Sequence, residues 1–170
     1  HFNDKLELIT SDISCNGLVD GSATIQNSNA NYGPYEYSIN GQASTTSNQF
    51  NNLGAGSYEI TVTNVLGCDT SINFNISEPS PLTIQLVSKS NILCHDGNDG
   101  EIEIEVEGGT PPFLFTWNNE PVNQTQRNQL TAGTYTIEAT DSNGCTVILE
   151  VILTQPDPIE NIFDFDPILC

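Results

Sequence analysis

Apolar and polar side chains alternate strictly along Glu101-Ile102-Glu103-Ile104-Glu105-Val106. Period two with β-branched residues sets three aliphatic side chains on one face and three glutamates on the other, which predicts a half-buried strand. The alternation returns at Tyr58-Glu59-Ile60-Thr61-Val62, at Ile72-Asn73-Phe74-Asn75-Ile76 and at Tyr135-Thr136-Ile137-Glu138-Ala139. No stretch shows convincing helical spacing. Turn residues separate these strands: Asn40-Gly41 closes a hairpin after Tyr35 to Ile39, Asn143-Gly144 falls between the last two strands, and Gly108-Gly109-Thr110-Pro111-Pro112 breaks the chain before Phe113.

The strands belong to a repeat. Leu53-Gly54-Ala55-Gly56-Ser57-Tyr58 returns 77 residues later as Leu130-Thr131-Ala132-Gly133-Thr134-Tyr135, and the echo extends to both ends of the unit. Cys15 with Asp20-Gly21 answers to Cys94 with Asp99-Gly100, Gly67-Cys68 to Gly144-Cys145, and Glu78-Pro79 to Gln155-Pro156. A fixed period settles architecture before any site is considered. It predicts two domains, residues 1–79 and 80–157, with residues 158–170 opening a third, because Phe165 to Cys170 matches Lys89 to Cys94. Units this small sit near the lower limit for an independent core, so support from neighbours or covalent staples is expected. The chain reads as a window on a longer array, with start and sorting signals outside it.

About seven short strands per copy predict an all-β fold of tandem immunoglobulin-like, PKD-like β-sandwich repeats in an elongated array. Strand A precedes the first cysteine, B follows Asp-Gly, C runs through Phe113 to Trp117, F through Tyr135, and G follows Cys145. Trp117, aligned with Ile39, falls in the core of strand C. The pattern Cys94, Asp99-Gly100, Gly108 to Phe113, Trp117, Leu130 to Tyr135, Thr140 to Cys145 and Gln155-Pro156 resembles the SprB repeat family, named for giant gliding-motility adhesins of gram-negative bacteria. Copy one departs from it at Asn29-Ala30-Asn31-Tyr32-Gly33, in place of the Gly-Gly-Thr-Pro run, and at Asn64, in place of the last-turn Asp. The resemblance implies a long cell-surface protein, often exported through the type IX route, whose repeats form a load-bearing stalk or adhesive shaft outside the cell.

The net charge of −19 arises from 22 acidic residues against only three bases, Lys5, Lys89 and Arg127. A surface so poor in cations cannot neutralise phosphates, which argues against nucleic acid and anionic membrane as partners. No apolar run approaches the ~20 residues of a membrane span. The expected partners are neighbouring repeats of the same chain, with surface glycans or other chains of a fibre as further candidates.

Five cysteines in a secreted-looking chain point to disulfides. Pairing within copies, Cys15 with Cys68 and Cys94 with Cys145, conflicts with the strand order. The A–B and F–G turns lie at opposite ends of such a sandwich, roughly 23 Å apart for a strand of about seven residues, whereas bridged Cα atoms sit within ~7 Å. End-to-end stacking instead favours Cys15 with Cys145, leaving Cys68 and Cys94 to neighbouring repeats and Cys170 to a later one.

Cys94-His95-Asp96-Gly97-Asn98-Asp99-Gly100 gathers carboxylates, an amide and an imidazole within seven residues. It is a candidate calcium site where Asp96, Asp99 or Asp20 meets Asp141 of a stacked neighbour. It lacks EF-hand spacing, and copy one keeps only Asp20, so a turn capping its own backbone is the competing reading; no cofactor is required. Catalysis has little to work with. His95 is replaced by Asn16 in copy one, and Glu101, Glu103 and Glu105 alternate as the wet face of a strand, so no enzyme is expected. The alternative function is a glycan- or surface-binding accessory module of a secreted protein, using loops such as Tyr32 to Tyr35 and Gly108 to Phe113.

Overall fold

The computed structural model describes residues 6–27 and 33–160, and all regular structure among them is β-strand. Asn29 to Tyr32 and residues 161–170 of the third copy, Cys170 included, lie outside the described residues. The first copy contributes β1 (Leu6–Ser11), β2 (Gly21–Asn27), β3 (Tyr35–Ile39), β4 (Gln49–Leu53), β5 (Gly56–Asn64) and β6 (Asp69–Ile76). Two antiparallel sheets result, in the orders β1-β2-β4 and β3-β5-β6. With these strands lettered A, B, C, E, F and G, the sheets are ABE and CFG, the division of an immunoglobulin-type sandwich. Ala23 and Ile25 of β2 face Ile60 and Val62 of β5 across a core completed by Tyr37 and Ile39.

The second copy repeats the plan with β7 (Thr83–Ser90), β8 (Gly100–Glu107), β9 (Leu114–Trp117), β10 (Glu120–Pro121), β11 (Gln126–Leu130), β12 (Gly133–Thr140) and β13 (Thr146–Leu153). Its sheets are β11-β8-β7 and β10-β9-β12-β13. Ile102 and Ile104 point inward from β8, as the alternation predicts, against Ile137, Ala139, Val151 and a wholly buried Trp117. The indole Nε1–H donates to the Gln124 carbonyl at 3.1 Å, satisfying the one polar group of that ring. In both copies the tyrosine that opens strand F bonds back four residues, Tyr58 to the Gly54 carbonyl at 3.0 Å and Tyr135 to the Thr131 carbonyl at 2.9 Å. This is the tyrosine corner of immunoglobulin-like sandwiches.

By contact density the chain divides into two compact units. The first runs through Thr83 and takes in two segments of the second copy, Glu107–Pro112 and Asp141–Cys145; the second comprises Ile84–Val106, Phe113–Thr140 and the residues from Thr146 onward.

Candidate functional site: a disulfide-braced cluster of turns

Each A–B loop is built by the same bonds. The aspartate of Asp-Gly reaches back to the start of the loop, Asp20 accepting from the Ser14 amide and hydroxyl and Asp99 from the Leu93 amide at 3.1 Å. One residue per loop turns left-handed, Gly17 at φ 80° and Asp96 at φ 57°. Its amide donates to a side chain past the end of strand G, Glu78 at 2.8 Å in copy one and Gln155 at 3.1 Å in copy two. The preceding side chain reaches the next carbonyl along: Asn16 Nδ2 donates to Pro79, and His95 Nδ1 lies against Pro156, both at 3.1 Å. Asn16 and His95 are therefore equivalents, each latching the A–B loop to the chain that leaves the sandwich. His95 Nδ1 also lies 3.2 Å from Gln155 Nε2, a donor, so the ring tautomer decides whether Nδ1 gives a proton to the Pro156 carbonyl or takes one from the Gln155 amide.

The F–G turns are equally alike. Asn64 Oδ1 accepts from the amides of Leu66 and Cys68, and Asp141 Oδ1 from those of Asn143 and Cys145, all at 2.9 Å. Asp141 has a second oxygen to use. Its Oδ2 accepts the Thr110 amide at 2.9 Å and thereby ties the F–G turn to the Gly108–Thr110 loop. Burial raises the Asp141 pKa, but the backbone bonds from Thr110, Cys145, Asn143 and Gly144 outweigh it and hold the carboxyl below 3.8.

The Gly108–Thr110 loop seats the segment between the two copies. Gly109 donates to the Ser80 carbonyl at 2.9 Å, and a Cβ at Gly108 would lie 1.9 Å from the Pro81 carbonyl oxygen. Both glycines have positive φ, 71° and 59°, so the run supplies close approach and a backbone conformation that other residues resist. Gly108 to Thr110 are thus half-buried against Ser80 to Leu82, while Pro111 and Pro112 are exposed.

Beside this loop Cys15 is bonded to Cys145, with Cα atoms 5.7 Å apart and a sequence separation of 130. Asn143 Nδ2 donates to the Ser14 carbonyl at 2.9 Å and to Thr110 Oγ1 at 3.2 Å, so a side chain supports the covalent bond. The A–B loop of copy one, the F–G turn of copy two and the Gly108 loop all lie inside the first compact unit. Cys68 and Cys94 are free and exposed.

Among the described residues no three His, Cys, Asp or Glu side chains converge. Asp20, Asp99 and Asp141 each accept amide hydrogens within their own turns, and Asp96 faces His95 Nε2 at 3.5 Å. The carboxylates of Asp20, Asp99 and Asp141 thus cap turn backbone.

Two sandwiches of ABE and CFG sheets, in tandem and with matching loops, define the chain as a pair of immunoglobulin-like repeats. The family model of the SprB repeat matches it twice, over residues 8–44 and 86–121. No curated protein matches the chain. Among solved structures, similarity extends to three N-terminal domains of the outer capsid protein Hoc of bacteriophage RB49, at 13% identity and a TM-score of 0.48, over 88% of this chain and 59% of that one. A C-terminal fragment of intimin, solved with the intimin-binding domain of its translocated receptor, gives 13% identity and a TM-score of 0.48, over 88% and 63%. Fibronectin(III)-like modules of Clostridium thermocellum CbhA give 12% identity and a TM-score of 0.34, over 88% and 86%. The chain spans about three fifths of the first two.

Proposed function

We propose that this chain is a non-catalytic segment of a bacterial cell-surface adhesin, outside the cell, where its repeats act as a load-bearing shaft. The Cys15–Cys145 bond carries this reading. A pull on the two ends of the chain enters through β1 to Cys15, crosses the sulfur bridge to Cys145 and leaves through β13. The intervening strands, including both F strands and most of both cores, are taken out of the load path. An oxidising compartment is implied by the same bond. The SprB matches support a surface adhesin of the gliding-motility type exported by the type IX route.

Single-molecule stretching of the chain from its ends tests this. In the oxidised state the bridge hides 130 residues, so complete unfolding should release roughly 430–470 Å less contour length than in reductant. Equal extension in both states would remove the mechanical role.

A further inference from the structure

The F–G turn of copy one and the A–B loop of copy two reproduce the two halves of the closed bridge. Cys68 sits in its turn by the bonds that place Cys145: its amide meets Asn64 Oδ1 as that of Cys145 meets Asp141 Oδ1, and its carbonyl accepts the Asn64 amide as that of Cys145 accepts the Asp141 amide, all at 2.9 Å. Cys94 likewise matches Cys15, its carbonyl accepting the Gly97 amide at 2.9 Å where Cys15 accepts that of Leu18 at 3.1 Å. Yet Cys68 and Cys94 are free and exposed.

The neighbours of these two cysteines differ from the closed bridge in one consistent way. Where Asn143 meets the Ser14 backbone, the open turn presents Leu66, 71% exposed, and the open loop presents Leu93, 80% exposed. The geometry that brings positions 14 and 143 together in the closed bridge would set a leucine against a leucine in a junction between Cys94 and a turn like that of Cys68. Leucines this exposed beside a thiol mark a surface that gains by being covered.

We infer that Cys68 and Cys94 are open ends of the same junction and that each takes a further copy of this repeat, Cys68 an A–B loop and Cys94 an F–G turn. The inference rests on reading the chain as a segment of an array. Loop joins turn and never loop with loop, so the contact is heterologous and can pass from copy to copy. Formation of the bond needs an oxidant, here a low-molecular-weight disulfide. One thiolate attacks it and expels a small thiol; the second thiolate then displaces the other, so the two cysteines lose two electrons and two protons and two small thiols form.

The test uses the full chain carrying Cys170→Ser, oxidised by glutathione disulfide at rising protein concentration, with the products mapped without reduction. The expected result is a ladder of covalent oligomers in which Cys68–Cys94 junctions between chains predominate. Leu66→Asn with Leu93→Asn should slow its formation on the order of tenfold, the effect of failing to bury about one leucine. A statistical mixture with Cys68–Cys68 and Cys94–Cys94 pairs, a Cys68–Cys94 bond within one chain, or glutathione-capped monomers alone would each overturn the inference. If any of these occurs while stretching still shows the hidden length, the open-end assignment fails and the load-bearing reading stands.

Discussion

Asp141 and Asn64 occupy the same place in the repeat and show what one oxygen changes. Either side chain can fold the F–G turn through Oδ1, but only the carboxylate has a second acceptor for the Thr110 amide. Asp141→Asn should therefore keep the turn and release the Gly108 loop, whereas Asp141→Ala should cost about 1–3 kcal/mol by taking the acceptor from the Thr110, Asn143 and Cys145 amides. Asp141 also predicts an acid response. Its folded pKa lies below 3.8, so the stability it supplies is complete above that value and is lost as the pH falls through the lowered one. Asp12 and Asp20, held down by bonds from Ser77 and Ser14, act in the same sense. Thermal melts between pH 5 and pH 2 should fall for the parent chain and fall less steeply for Asp141→Asn. At this scale the sequence flagged the aspartates but not their partners, because a cluster of carboxylates reads alike whether it awaits a cation or caps a turn. The Glu78 and Gln155 latches were visible only as an echo. Their matched polar side chains before proline were the available signal.

At the scale of elements, period-two alternation placed β8 and β12 with the correct inward faces, and the aromatic at position 117 reads as core because its counterpart in copy one is Ile39. Trp117 is wholly buried, and Trp117→Ala should cost about 3–5 kcal/mol in urea unfolding. The Gly108-Gly109 run was legible as a break in the chain but not as a seat, since close approach of two backbones leaves no mark on periodicity. Gly108→Ala tests the seat: its Cβ would lie 1.9 Å from the Pro81 carbonyl oxygen, and the forced shift together with the positive φ should lower stability by at least about 2 kcal/mol. A change below about 0.5 kcal/mol would mean that the Ser80 to Leu82 segment is not held there. The tyrosine corners were equally silent in sequence, a tyrosine opening a strand being unremarkable until its hydroxyl finds a carbonyl four residues back.

Over the whole molecule, the 77-residue echo carries most of what could be read, because repetition converts one copy's pattern into a statement about both. Strand order adds the separation of A–B and F–G turns within a copy, and the Cys15–Cys145 bond of the structure joins one of each from different copies. What sequence could not supply is the local support of that bond: Asn143 reaching the Ser14 carbonyl, and the Asp141–Thr110 tie that fixes the turn beneath it. The load path we propose, from β1 through the bridge to β13, depends on that one covalent connection. The most direct measurement is non-reducing peptide mapping of the native protein, asking which cysteine is joined to Cys15. The structure predicts a peptide linking Cys15 to Cys145; a peptide linking Cys15 to Cys68 would contradict the braced load path and the strand order on which it rests.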